Sequence, residues 1–257
     1  MLLNAKRYHE ARVEYLNAIG SDPEHAWAHC RLGVCFALLG TRDEALEHAF
    51  KGIRLMPEWA GTHYQLAWIL NHLGEKKEAE RSVRDALTRE PHFTEAFVLL
   101  AWIYLDRDRL EEGIVAAEQA IELDPGCAEA FNIQGIATLQ LGKLDDAEKA
   151  LTTALRIEPE NPTSHANLGY VFLHRGDWRT AEMHFRNALR LDPNFQYALL
   201  GYKEILRGKH PVIRWIIEQR LWFDRQPRGF GLFALGILLI VIYAIAFLLR
   251  AFTEAGN

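Results

Sequence analysis

Small residues recur along this chain every 34 positions. Side chains of this size in register let two helix backbones approach closely, so each 34-residue unit is predicted to contain two antiparallel helices that cross at these points. Three such series are present: Ala11, Ala45, Ala79, Gly113, Ala147 and Ala181; Ala18, Gly52, Ala86, Ala120, Ala154 and Ala188; and Gly33, Ala67, Ala101, Gly135 and Gly169.

Prolines and glycines divide the units. A proline cannot continue a helix, and the six that are spaced 34 residues apart end the second helices: Pro23, Pro57, Pro91, Pro125, Pro159 and Pro193. The first helices end at residues that tolerate a left-handed backbone, namely Gly40, Gly74, Asp108, Gly142 and Gly176. First helices are therefore predicted near 25–39, 59–73, 93–107, 127–141 and 161–175, and second helices near 7–20, 42–55, 76–89, 109–123, 143–157 and 177–191.

Blocks such as AFNIQGIATLQLGKLDDAEKALTTALRIEP and SHANLGYVFLHRGDWRTAEMHFRNALRLDP make the chain resemble the tetratricopeptide repeat family. The resemblance implies an all-α fold in which residues 1–207 form a right-handed helical-hairpin solenoid. It would hold about five full repeats, with partial repeats at both ends. The usual tryptophan of the first helix is replaced by groups expected to pack in its place: His29, His63, Phe97, Phe131 and His165. Only a stub of a first helix precedes residue 7, so a natural start, a lost upstream segment and a covering partner all stay open.

An uncharged segment near the C-terminus predicts a membrane anchor. The 21 residues between Arg228 and Arg250 include fourteen Leu, Ile, Val or Phe. In helical rise they span about 31 Å, close to the hydrocarbon thickness of about 30 Å. A transmembrane helix is expected at 229–251, followed by a short tail at 252–257. A buried core helix is the alternative, but a thin solenoid has no site that surrounds a helix with apolar contacts.

Charge predicts the orientation of this anchor. Seven Lys or Arg residues lie between 203 and 228, whereas Arg250 alone follows the span, so the repeats should stay on the cytoplasmic side. The N-terminus shows no signal peptide, which points the same way. The arrangement resembles bacterial tetratricopeptide membrane proteins, and we expect a tail-anchored, single-pass protein of a bacterial inner membrane.

Residues 208–228 are predicted to form a basic amphipathic helix, beginning near Pro211, between the repeats and the anchor. Two interpretations stay open: the segment caps the solenoid, or it lies in the lipid headgroup layer. The second would place these side chains against anionic lipid: Arg214, Trp215, Arg220, Trp222, Arg225 and Arg228.

The net charge of −5 hides a division along the chain. Residues 1–195 carry 21 basic and 30 acidic side chains, a net charge of −9, whereas residues 196–257 carry 8 and 4, a net charge of +4. An acidic body argues against nucleic acid as a partner. Three scattered cysteines exclude a disulfide framework.

The sequence offers little for catalysis. It contains no GxxxxGK[ST], HExxH or GxSxG motif, so we expect neither catalytic residues, nor a cofactor, nor a small-molecule substrate. His25, His29 and Cys30 have helical spacing, but His29 recurs in phase as His63 and His165, which favours packing over a metal site.

The family resemblance implies a groove on the concave surface, lined by the second, fifth, ninth and twelfth residues of each unit. Aromatic side chains there would suit a peptide segment of a partner protein. The alternative is that they pack against the second helices. The predicted groove residues are Trp27, Val34, Tyr64, Trp68, Asn71, Trp102, Leu105, Asn132, Ile136, Leu139, Tyr170 and Leu173.

These observations favour a non-enzymatic adaptor at the membrane that binds segments of partner proteins in its groove. Two alternatives remain: a permanent structural subunit of a membrane complex, and the regulatory fragment of a longer enzyme. Family members that grip a C-terminal carboxylate use Lys and Asn at the fifth and ninth positions. Here those positions hold Cys30, Val34, Tyr64 and Trp68, so that activity is not expected.

Overall fold

A computed structural model of the chain describes residues 7–208, which form twelve α-helices and no strand. The helices are α1 (Tyr8–Ser21), α2 (Ala26–Leu38), α3 (Arg42–Leu55), α4 (Ala60–His72), α5 (Lys76–Arg89), α6 (Thr94–Asp106), α7 (Leu110–Leu123), α8 (Ala128–Gln140), α9 (Leu144–Ile157), α10 (Pro162–Arg175), α11 (Trp178–Leu191) and α12 (Gln196–Gly208). The predicted helices are confirmed, and each predicted end lies within one residue of the observed end.

Each even-numbered helix from α2 to α10 pairs with the helix that follows it, and these hairpins stack in chain order. A first helix also contacts the first helix of the next hairpin, as α4 contacts α6. The first helices therefore line one side of the solenoid, and α12 packs on the last hairpin as a partial repeat.

The predicted left-handed residues are confirmed at every hairpin turn. The glycines at 40, 74, 142 and 176 have φ angles of 73 to 85°, and Asp108 takes the same place with φ 57°. Glycine adopts this conformation without steric cost, and Asp is one of the few other residues that tolerates it.

The small-residue series lies where helices cross. Ala45, Ala79 and Ala147 are fully buried in second helices. A Cβ atom on Gly33 would lie 2.8 Å from the carbonyl oxygen of Ala45, so only glycine fits between α2 and α3 at their present separation. Side chains that are minimal at the crossings thus set the spacing of the hairpins.

Within residues 7–208, no helix combines the length and the apolar character that crossing a membrane requires. The predicted anchor at 229–251 lies outside the described residues. So does the predicted basic helix beyond residue 208, with all six of its lipid-contact residues.

Candidate binding groove

Four of the predicted groove residues line one groove between α4, α6 and the start of α8. Tyr64, Trp68 and Asn71 share a face of α4 because they are spaced at i, i+4 and i+7. Trp102 stands on α6, 34 residues after Trp68 and therefore at the equivalent position. The groove has a volume of about 520 Å³, and the other residues that line it are Thr94, Glu95, Val98, Leu99, Asp106, Asp124, Cys127 and Glu129.

The two indoles are half-buried and held by neighbouring groups. Trp102 donates its Nε1–H to Glu129 Oε1 at 2.8 Å, which ties α6 to α8. Trp68 stacks on the ring of His72, with centroids 5.3 Å apart and an interplanar angle of 4°. Each indole packs partly on the core and lines the groove with the rest of its surface. Packing on the core and exposure to the groove thus coexist in each indole.

Carboxylates dominate the charge of this groove. Glu95, Asp106, Asp124 and Glu129 line it, and none of its twelve described lining residues is Lys or Arg. Lys76, which is outside the lining, donates to Asn71 Oδ1 at 2.9 Å and forms a salt bridge with Asp106.

Tyr64 is affected by this charge. Its pKa is raised to about 12, first by burial and then by the negative charges of Glu95 and Glu129. The phenol therefore stays neutral, and its hydroxyl can donate a hydrogen bond at physiological pH.

A smaller groove of about 280 Å³ continues toward the N-terminus and shares Tyr64 and Trp68 with the first. It is also lined by Tyr8, Arg31, Val34, Leu38 and Gln65. The surface from α1 to α8 thus changes from a cationic end at Arg31 to an anionic one.

Three predicted groove residues are buried, and two of them, Asn132 and Leu173, line neither of these grooves. Val34, Asn132 and Leu173 have only 4 to 5% of their surface exposed. Asn132 Oδ1 accepts a hydrogen bond from the Ser164 hydroxyl at 2.5 Å, which joins α8 to α10 in the interior. Val34 touches the smaller groove only with this residual surface.

The remaining predicted residues lie away from the main groove. Leu105 packs toward α7, since a Cβ on Gly113 would lie 2.4 Å from Leu105 Cδ1. Leu139 packs on a core cluster of α9 and α10, and Ile136 is half-buried. Trp27 is 40% exposed and lies 5.5 Å from the ring of Trp59.

Tyr170 is engaged by the last hairpin and α12. Its hydroxyl donates to the carbonyl of Tyr197 at 3.1 Å, and its ring meets the edge of Phe185 at 5.0 Å. Burial raises the pKa of the Tyr170 phenol, and the charge of Glu204 adds to this. Tyr170 thus packs between α11 and α12 at the C-terminal end of the described solenoid.

The acidic residues of the groove were not predicted from the sequence, although a signal was available. Glu95 and Glu129 are 34 residues apart and occupy the second position of their units, a position that the family resemblance assigns to the groove. The same rule had supplied Trp27. The described residues contain no group of three or more His, Cys, Asp or Glu side chains placed to hold a metal ion.

Comparison with known proteins addresses the fold. A family model described as "Tetratricopeptide repeat" matches residues 2–55, 64–128, 100–162 and 134–195. Comparison with curated protein sequences finds no match.

Solved structures resemble the solenoid closely. The APC/C hetero-tetramer Cut9–Hcn1 aligns with a TM-score of 0.71 at 20% identity, over 80% of this chain and 41% of that one. The chain thus spans less than half of that structure's length. YrrB, a TPR protein with an unusual peptide-binding site, gives a TM-score of 0.54 at 19% identity, over 74% of this chain and 97% of that one. A thermophilic TPR protein of Thermus thermophilus gives 0.59 at 25% identity, over 70% of this chain and 98% of that one.

Proposed function

The chain belongs to the tetratricopeptide repeat family, and we propose that it is a non-enzymatic scaffold that binds segments of partner proteins in the groove of α4, α6 and α8. The observation that carries this proposal is the pair Trp68 and Trp102 at equivalent positions of successive repeats, lining one groove of about 520 Å³. Indoles supply large contact area at small entropic cost, which is why they dominate binding energies at interfaces.

The shape of the groove favours an extended or helical segment over a small molecule. It is an open trough along successive first helices, and it continues into the smaller groove toward α1. An elongated ligand could contact both. YrrB, which has the same fold, carries a peptide-binding site, and this supports a peptide-binding role.

We further propose that the scaffold acts at a membrane, held by a helix at 229–251 with its repeats on the cytoplasmic side. Support comes from the 21 uncharged residues and from the excess of basic residues before them. Residues 208–228 would then contact anionic headgroups through their arginines and tryptophans. A bacterial inner membrane is the proposed location.

Substitution of both indoles tests the binding role. Trp68→Ala with Trp102→Ala should reduce partner capture at least tenfold, because the groove loses its two largest contact surfaces. Capture is measured by photo-crosslinking from position 71, on the same groove, in native membranes, followed by identification of the crosslinked protein.

The matched control is Phe50→Ala with Val115→Ala, which removes two exposed apolar side chains from the second helices α3 and α7. Capture should be unchanged in this control, and far-UV circular dichroism should show equal helicity in both variants. Undiminished capture by the double Trp variant would remove the groove as the binding site.

A further inference from the structure

We propose that the groove of α4, α6 and α8 selects a cationic segment, with a Lys or Arg side chain of the partner lying against Trp68 or Trp102 and paired with Glu95 or Glu129. This inference rests on the proposed function and adds the charge of the ligand. It commits to a partner protein segment as the occupant.

The negative charge of the groove is only partly balanced by the chain's own basic residues. Of its four carboxylates, Asp106 already has Lys76 as a partner. Within residues 7–208, Glu95, Asp124 and Glu129 form no salt bridge, and no Lys or Arg lines the groove. A bound cation would complement this field, whereas an acidic segment would be repelled.

One of these carboxylates also lies at the edge of an indole. Glu129 accepts the Nε1–H of Trp102, so its position is fixed next to that indole. Cations bind over aromatic rings, best over Trp, and guanidinium groups pair with carboxylates at the same time. An aromatic ring with an adjacent carboxylate is therefore a receptor for Arg or Lys.

A related combination of ring and carboxylate elsewhere in this molecule is filled by the chain's own arginines. The Arg109 guanidinium lies 4.4 Å from the ring centroid of Tyr104 and pairs with Glu80 at 2.9 Å. Arg84 also pairs with Glu80, at 2.6 Å, and donates to the Tyr104 hydroxyl at 2.7 Å. The groove presents the ring and the carboxylate without the guanidinium, which the partner would supply.

Two synthetic peptides test the selectivity directly. One is a dodecapeptide of Gly and Leu with three Arg residues at alternate positions, and the other has citrulline, a neutral isostere, in place of Arg. Fluorescence anisotropy is measured with the full chain in neutral phosphatidylcholine nanodiscs. The Arg peptide should bind at least tenfold more tightly, and its affinity should fall several-fold between 50 and 500 mM salt because exposed charges are screened.

Isosteric variants locate the effect. Glu95→Gln with Glu129→Gln should lower affinity for the Arg peptide at least tenfold and leave citrulline binding unchanged, because glutamine can still accept the Trp102 hydrogen bond. The matched control is Glu111→Gln with Glu122→Gln, which removes the same charge from exposed positions of α7. This control should bind the Arg peptide like the unmodified chain.

Several outcomes would overturn the inference. Equal affinity for the two peptides, or no measurable binding of either, would contradict cation selectivity. If Arg214→Gln with Arg220→Gln raised Arg-peptide affinity, the chain's own basic segment would be the occupant instead of a partner. Capture from position 71 of a partner segment without Lys or Arg would leave the proposed function standing and this inference wrong.

Discussion

Two of the repeats each contain a pair of contacting histidines that the sequence pattern did not reveal. His165 Nε2 lies 3.3 Å from the carbonyl of Pro159, and its Nδ1 lies 3.2 Å from Nδ1 of His184. A carbonyl only accepts, so in the neutral pair Nε2 of His165 donates to it and Nδ1 accepts from His184. His29 and His48 repeat the arrangement four units earlier, with 2.9 Å between their Nδ1 atoms.

The histidine pairs should make the solenoid sensitive to acid. The pKa of His184 is lowered to about 4, mainly by burial and then by the charge of His165, and burial also lowers the pKa of His165. In the unfolded chain both titrate near 6.5, so the unfolded state binds more protons between about pH 6.5 and 4. The stability that depends on these neutral histidines is therefore fully present above about pH 6.5, and it is lost as the pH falls toward 4.

Replacement of one ring should reduce this sensitivity. Phenylalanine at position 184 can keep the stack on Phe172, whose centroid lies 5.5 Å away, but it cannot be protonated. The free energy of unfolding should fall between pH 7 and pH 5 by about 1 kcal/mol less in His184→Phe than in the unmodified chain, after allowance for solvent screening of a partly exposed ring. Urea unfolding followed by circular dichroism at the two pH values measures the difference.

The second repeat has a different partner at this position. The Nε2 atom of His63 lies 2.8 Å from the carbonyl of Pro57, as in the paired histidines, but Ser82 stands where His184 stands in the fifth repeat. An identical loss in His184→Phe and the unmodified chain would contradict the role of the pair.

At the scale of single residues, the 34-residue period predicted which residues occupy equivalent positions better than it predicted the neighbours of each side chain. His29 and His63 are buried, as expected for packing groups, whereas His165 is half-buried. The period could not predict the histidine pairs, since these depend on which residue stands 19 positions later in the second helix. That partner varies from unit to unit.

At the scale of helices, sequence predicted nearly everything, because each boundary is marked by a residue with a single physical role. Proline ends the second helices, and a left-handed residue ends each first helix. The third unit is informative, since Asp108 replaces glycine there and the turn still forms with φ 57°. Local backbone preferences thus sufficed, with no need for long-range information.

The sides of the helices were harder to predict. Asn71, Leu105, Leu139 and Leu173 all occupy the twelfth position of their units, yet only Asn71 lines the main groove. The leucines at this boundary gain by packing on apolar neighbours, as Leu139 does, whereas Asn71 accepts a hydrogen bond from Lys76 outside the core. Leu139 and Leu173 also stand near the end of α8 and on α10, beyond the part of the solenoid that this groove spans.

The crossing of α2 and α3 should be intolerant of a single added carbon. In Gly33→Ala the new Cβ would meet the Ala45 carbonyl oxygen at 2.8 Å, and backbone cannot move aside without separating the helices. The free energy of unfolding should fall by about 1–3 kcal/mol, the usual cost of overpacking. Urea unfolding at neutral pH measures this change.

Gly20→Ala is the comparison, because a Cβ at Gly20 of α1 meets nothing within 4 Å. Alanine favours helix over glycine by about 0.5–1 kcal/mol, so this variant should be unchanged or slightly more stable. If both variants gave the same stability, close approach at Gly33 would not limit the spacing of the hairpin.

At the scale of the whole molecule, charge and apolar character are separated along the chain. The repeats carry the acidic groove and most of the negative charge, and the last 62 residues carry a net charge of +4 around 21 uncharged residues. A scaffold with this division would keep its acidic body in water and its basic segment near anionic lipid. The mean hydropathy of the whole chain does not reveal this division, whereas the positions of the charged residues along the sequence do.

The proposed topology follows from this division and can be tested on the intact protein. With seven Lys or Arg residues before the uncharged segment and Arg250 alone after it, the repeats should stay on the cytoplasmic side. Protease added to inverted inner-membrane vesicles should therefore digest the repeats, whereas protease added outside spheroplasts should leave them intact. An epitope placed after Asn257 should show the opposite accessibility, which controls for vesicles that leak. Digestion of the repeats from the outer side would overturn the orientation, and release of the full chain by alkaline carbonate would overturn the anchor, because a helix embedded in hydrocarbon resists that extraction.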